Sequence, residues 1–275
     1  MENRTFWQQM LLIDRRILYM ILFANMIIFL LVPVKVKTVT SPPVRKFYDT
    51  IEQLHPGDMV MVSSNWGAGT IGESLPQFEA VIRHLMRKKL RFTILSFEPQ
   101  ARDISLRFAT RFTKEGGYKY GEQWAHFGFM PSPAVAIKGM VKDLPATIKQ
   151  DVKGIPISQL PVMRGVQTLA DYKVVIDVTP SGTVSAWISY RPQNLKVLFC
   201  PTSVMAAEAY TFLDSGQVAG MLTGAIGAQE YEQLLGIEGL GTSFAKAISF
   251  SHALIILFVI LGNIALFMSR RAQGG

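Results

Sequence analysis

Hydrophobic residues along this chain fall into three regimes: an unbroken apolar run near each end, and between them short apolar segments alternating with stretches of helical spacing. Residues 17–34 hold eighteen positions without a charge, close to the lower limit for crossing a hydrocarbon core of roughly 30 Å. Residues 247–268 form a run of twenty-two, followed by Arg270 and Arg271. A cleaved signal peptide is the rival for the first run, but the run is long for one and no small-x-small site follows Val34. The pattern therefore predicts an amphipathic cytoplasmic or interfacial segment over 1–16 with Phe6, Trp7, Met10 and Leu11. After it come a span over 17–34, a soluble domain over 35–246, a span over 247–268 and a short basic tail over 269–275.

Two spans place both termini on one side. Arg4, Arg15, Arg16, Arg270 and Arg271 in the tails are matched by Lys35, Lys37, Arg45, Lys46 and Lys246 on the domain side. Long segments translocate largely regardless of charge, so the short tails decide, predicting cytoplasmic termini and a domain on the outer face. Asn25 and Asn263 have similar depths in an antiparallel pair; they bond each other, or each bonds its own backbone or a neighbouring chain.

In the middle, 38–43 reads as a polar tether and 47–54 as a helix. Residues 59–62 form a continuously apolar strand, as expected for burial on both faces of a parallel sheet. A glycine loop follows, and Ser74, Pro76 and Gln77 carry the signals of a helix start, with Phe78, Val81, Ile82, Leu85 and Met86 at helical spacing. The unit repeats: a strand over 90–97, then a helix starting at Pro99 with Ala101, Ile104, Phe108 and Phe112 on one face, ended by Gly116 and Gly117. Further strands are predicted at 123–129, 172–178 and 195–200, with broken helix over 134–150 and an irregular connection over 151–161. Alternating strands and helices define the expected fold as a three-layer, parallel-sheet α/β domain of the Rossmann-like kind. From Asp214 or Ser215 a helix is expected to carry Gly216, Gly220, Gly224 and Ala228 as a flat small-residue seam, either packed within the domain or used for self-association.

Composition agrees with membrane spans added to a globular core: 275 residues, 49% hydrophobic and only 17% charged. The net charge of +8 is spread thinly, with no basic stripe and interleaved aromatics, so no nucleic-acid partner is expected. Its densest run, from Arg83 to Arg91, reads as a solvated helix end that meets anionic headgroups if the domain lies against the bilayer. One cysteine excludes an internal disulfide, and Cys200 reads as a packed core residue. His55, His84, His126 and His252 stand in no metal-ligand spacing, and no GxSxG, HExxH or CxxC is present.

The loop Gly67-Ala68-Gly69-Thr70-Ile71-Gly72-Glu73-Ser74 overlays both the GxGxxG and the GxxxxGK[ST] patterns, with Glu73 in place of the lysine. A carboxylate facing phosphates argues against triphosphate hydrolysis, and the apparent helix start at Ser74 comes late for a dinucleotide fingerprint. The plain reading is a tight strand-to-helix turn. Ligands of open parallel sheets bind beyond the carboxyl ends of the strands. That edge gathers Ser63, Ser64, Asn65, Gly67, Gly69, Thr70, Gly72, Glu73, Glu98, Asp177, Thr179, Ser181, Thr202 and Ser203. The expectation is a membrane-anchored, non-enzymatic domain that binds a small polar ligand or a protein partner within a membrane assembly, with no particular cofactor indicated. The alternatives are an enzyme using Glu98 and Asp177 as a carboxylate pair, with or without a metal, and a nucleotide sensor without hydrolysis.

Overall fold

An apolar run such as Met59–Ser64 needs cover on both faces, and the computed structural model, which describes residues 6–32 and 38–273, supplies it. Arg4, Lys35, Lys37 and the final residues of the first apolar run and of the basic tail lie outside the described residues. In chain order, α1 (Phe6–Leu11) and α2 (Arg15–Leu31) precede α3 (Pro42–Glu52), β1 (Met59–Ser64), α4 (Ile71–Arg87), β2 (Arg91–Ser96) and α5 (Pro99–Glu115). Then come β3 (Trp124–Phe129), α6 (Pro133–Lys142), α7 (Leu144–Thr147), β4 (Val174–Thr179), α8 (Thr183–Tyr190), β5 (Lys196–Pro201) and α9 (Ala206–Asp214). The chain closes with β6 (Gly220–Met221), α10 (Gly224–Leu235) and α11 (Leu240–Gln273).

Among the described residues the six strands are all parallel, in the order β3-β2-β1-β4-β5-β6. This is a doubly wound order whose direction reverses between β1 and β4, the position at which such sheets open a crevice. Alternation along the strands splits the core in two. Val60, Val62, Ile176, Val178 and Leu198 pack with Phe47, Phe78, Phe112 and Tyr231 from α3, α4, α5 and α10. Met59, Met61, Val175 and Phe199 pack with Ile137, Trp187 and Leu213 from α6, α8 and α9. Helix, sheet and helix make the three layers.

The small-residue helix is not formed. Gly216 lies past the end of α9 with φ +72°, Gly220 opens β6, and Gly224, at φ +57°, opens α10. Only Ala228 is interior to a helix, so the fourfold spacing marks a turn, a strand and a helix start. The sixth strand was hidden by its length of two residues, and α8 by its eight residues and lack of a capping side chain.

α10 also fastens both ends of the domain. Its Glu230 accepts from the Ser41 amide (2.8 Å) and hydroxyl (2.6 Å), and Gln233 exchanges bonds with the Thr38 backbone (3.0 and 2.9 Å). On the other side, Glu232 accepts from the Gly239, Gly241 and Thr242 amides at the start of α11.

Of the described residues, 6–32 and 243–273 form a separate unit. α11 is long and apolar enough to cross a membrane, and only 6% of its most apolar window is buried, which leaves its side chains facing outward. α2 has 17 residues, about 26 Å at 1.5 Å per residue. Phe29 stacks on Phe250 at 3.7 Å, Asn25 donates to Ser251 Oγ (3.3 Å) and Lys246 to the Val32 carbonyl (3.5 Å). Asn263 donates to its own helix at Val259 O (2.8 Å), so the two amides do not pair. This register sets Asn25 beside Ser251, and Asn263 is twelve residues beyond it, about 18 Å along the helix.

Candidate functional site

The carboxyl ends of β1 and β4 meet in a buried polar network. Ser63 and Asp177 lie on the same faces of their strands as Met61 and Val175, toward α8. Asn65, just past β1, donates to Asp177 Oδ1 (2.7 Å) and Ser63 Oγ (2.8 Å), with Thr183 Oγ1 beside the same nitrogen at 3.3 Å. Its carbonyl oxygen accepts from the Phe97 amide (2.7 Å) after β2. Thr183 donates to Asp177 Oδ2 (2.8 Å), and Trp187 Nε1 donates to Ser63 Oγ (3.0 Å). One amide side chain thus ties together the ends of three strands and the start of α8.

The expected lining therefore divides. Ser63, Ser64, Asn65, Asp177, Thr179 and Thr202 are buried beneath the edge. Gly67, Gly69, Thr70, Gly72, Glu73, Glu98, Ser181 and Ser203 form the accessible rim. Thr179 and Ser181 share a local hydroxyl contact (2.8 Å). Glu73 reaches across to β5, accepting from the Ser203 amide and hydroxyl at 2.6 Å each. Gln77 is no capping partner; it is buried and donates to the Pro201 and Leu222 carbonyls (2.8 Å each), pinning α4 to the ends of β5 and β6. Thr183 and Trp187 were missed by sequence reasoning and Gln77 was read as a capping residue; the Ser181-Gly182-Thr183 turn after a strand was the available signal for the first.

The helix after the glycine loop starts earlier than expected. A 3-10 turn over Ala68–Thr70 runs directly into α4 at Ile71, and Ser74 sits inside the helix rather than capping it. Pro76 is accommodated because the bond it cannot make falls opposite the carbonyl of exposed Gly72. None of Gly67, Gly69 and Gly72 has a positive φ, and a Cβ at Gly69 or Gly72 would meet nothing within 4 Å. Neither backbone conformation nor internal packing demands glycine there.

The hydroxyls of Ser64, Ser74 and Thr202 and the Gln77 carbonyl oxygen are buried without hydrogen-bond partners among the described residues, around the start of α4 and the ends of β1 and β5. Buried polar atoms of this kind usually find a partner in protein, water or ligand.

Glu98 and Asp177 do not form a working pair. Glu98 is exposed at the start of α5, whereas Asp177 is fully buried with both oxygens occupied. The contact of Ser105 Oγ with His126 Nε2 (2.9 Å) resembles a nucleophile and base but has the wrong polarity. His126 Nδ1 accepts from the Gly128 amide, so the proton sits on Nε2 and is donated to the serine.

Burial pushes the Asp177 carboxyl up to about 7, against hydrogen bonds from Ser63, Thr183 and Asn65 that favour the ionised form. Stability from this raised carboxyl is complete below about pH 4 and is lost as pH rises through about 7. His84 and His126 act oppositely, because burial lowers them to about 4 and about 3, the former against a bond to Glu52. Their contribution is lost as pH falls below about 6.5. The opposing effects partly cancel in the native chain. Asp177→Asn is expected to steepen the loss of stability on acidification from pH 7 to 4.5, read from denaturant midpoints. An unchanged slope would show that Asp177 does not titrate in this window.

No protein-family model matches the chain, and no curated protein matches it. Fold and edge together define a doubly wound α/β domain with an apolar C-terminal helix, and the functional reading rests on the site.

Proposed function

We propose that this chain is a membrane-anchored, non-catalytic domain that recognises a small polar ligand at the switch point between β1 and β4. The observation that carries this reading is the pair of glycines, Gly69 and Gly72, that the fold itself does not require. Lacking a Cβ, they leave backbone amides at the start of α4 open to close approach by an outside group. Beneath them, the Asn65 network fixes the strand ends rigidly, which suits binding more than proton transfer because Asp177 is already fully engaged.

A second reading, nucleotide sensing without hydrolysis, is favoured by the strand order and by a helix that begins at Ile71 directly behind the loop. The Glu73 charge is then drawn aside by Ser203 rather than aimed along the loop.

Thermal-shift screening against nucleotides, nucleosides, sugars and amino acids separates the two ligand classes. Any compound that stabilises the native chain is expected to bind at least tenfold more weakly to Gly69→Val and Gly72→Ala. Gly72→Ala itself should raise unliganded stability by up to about 1 kcal/mol, since it removes a helical glycine. A panel without any response, or responses that survive both substitutions, would leave the loop as a plain turn.

For the anchor, α11 is the proposed span, the stacking of Phe29 on Phe250 supports α2 as its antiparallel companion, and the arginines of the short tails favour cytoplasmic termini. Exposed Phe23, Ile27, Ile28 and Leu31 on α2 support the same reading. Membranes washed with alkaline carbonate should retain the chain; its release would contradict anchoring.

A further inference from the structure

The C-terminal turns of α4 and α5 enclose a cavity of about 310 Å³ against the segment leading into α11, lined by Arg83, Met86, Arg87, Gly116, Leu235 and Ile237. We propose that this cavity binds a phosphate ester at its charged wall, with the headgroup of an anionic lipid as the source. The chemistry of the cavity stands without the anchoring proposed above; only the choice of lipid as source rests on it.

Met86, Leu235 and Ile237 give the cavity an apolar wall, and two guanidinium groups give it a charged one. Arg83 is held in place by Glu79 Oε1 (2.9 and 2.8 Å) and Glu115 (3.1 Å), and lies 5.5 Å from the Phe112 ring centre. These bonds use Nε and Nη2; Nη1 makes no hydrogen bond among the described residues. Arg87 is fixed by the Leu235 carbonyl (3.1 Å), Tyr48 (3.0 Å) and Glu52 (2.7 Å) through its two terminal nitrogens, and its Nε is likewise unused. Both side chains remain a third or more exposed. Guanidinium groups pre-set in this way suit a phosphate, to which they donate charge-assisted hydrogen bonds. Lys88, Lys89 and Lys114 at the same helix ends add positive charge that Glu52, Glu79 and Glu115 only partly offset.

The position fits the source. Glu79, which clamps Arg83, accepts through its other oxygen from the amide of Leu240, the first residue of α11 (3.1 Å). Ala247, where the apolar run begins, is seven residues further, about 10 Å along the helix. Only a short stretch of chain therefore separates Ile237 in the cavity wall from the start of the proposed span, which favours a headgroup as the source.

The test uses the full chain, delipidated in mild detergent. Thermal stability is followed while dioleoylphosphatidylglycerol, dioleoylphosphatidylcholine or glycerol 3-phosphate is titrated in. Phosphatidylglycerol is expected to stabilise saturably and phosphatidylcholine much less. Arg83→Gln should weaken the phosphatidylglycerol response roughly tenfold, and Arg83→Lys, a point charge without the fork, should fall between. Stabilisation by glycerol 3-phosphate alone, lost in Arg83→Gln, supports the cavity's chemistry and assigns a soluble source. An equal response to both lipids with none to the ester, or a response unchanged in Arg83→Gln, overturns the proposal. Should Arg83→Gln not fold, native mass spectrometry of lipid retained by the unaltered chain decides: enrichment of phosphatidylglycerol supports the site, and equal retention overturns it. Carbonate release would remove the lipid source yet leave the glycerol 3-phosphate arm able to test the cavity.

Discussion

Glu232→Ala is expected to destabilise the domain by about 4 kcal/mol, the scale of leaving several buried donors without their charged acceptor. The first amides of a helix have no partner within it, and α11 begins against the domain rather than in water. Glu79 takes the Leu240 amide, and Glu232 takes the next ones: Oε1 accepts from Gly241 N (2.8 Å), and Oε2 from Gly239 N (3.0 Å), Thr242 N (2.7 Å) and Thr242 Oγ1 (2.7 Å). Burial raises its pKa while those four donors pull it back. For a domain of this size the loss corresponds to a melting shift of roughly 10 °C. Glu232→Gln keeps one acceptor oxygen and should recover part of the loss. A shift below about 2 °C for the alanine variant would mean that water replaces the carboxylate freely.

The second large effect is expected at Gly220, where a Cβ would overlap Phe47 N and stand 2.5 Å from Phe47 Cα. Both are backbone atoms of α3, so no rotamer change relieves the overlap. α3 must move off β6, opening the contacts of fully buried Phe47 with its neighbours. Gly220→Ala should therefore cost about 3 kcal/mol, at or above the usual range for overpacking, and Gly220→Leu should cost more. Urea denaturation followed by tryptophan fluorescence measures this; a midpoint within error of the native chain would refute the close approach. Substitution at Gly220 consequently tests folding and not self-association.

Much of the frame was legible. β1, β4 and β5 each hold three or more consecutive apolar residues, and such runs are readable because both faces of a central parallel strand are covered. The helix face built on Phe78, Val81, Ile82, Leu85 and Met86 was readable from its spacing; the first four are buried and Met86 is half-buried. Less was legible where a signal had two meanings. Glycines at every fourth position match a helix seam equally well as a turn, a strand and a helix start, and the close approach of Phe47 chooses among them. Ser74, Pro76 and Gln77 spell a helix start, yet the 3-10 turn begins the helix at Ile71 and frees Gln77 for β5 and β6.

The candidate site followed the same division. That Ser63, Asn65, Asp177, Glu73 and Ser203 lie at one edge follows from parallel strands, whose carboxyl ends coincide whatever the details. Which of them face outward was decided by the fold: the pleat turns Ser63 and Asp177 toward α8, and Asn65 closes over them.

By itself, the sequence determined the α/β class, the apolar C-terminal helix and the polar edge, because burial and helical or strand period are local properties of a chain. Tertiary structure decided the strand order, the withdrawal of Asp177, and which glycines are demanded by packing and which leave an open surface. Those depend on what a distant segment, α3 at Gly220 or empty space at Gly69, brings to within a few ångströms, and no local pattern encodes that distance.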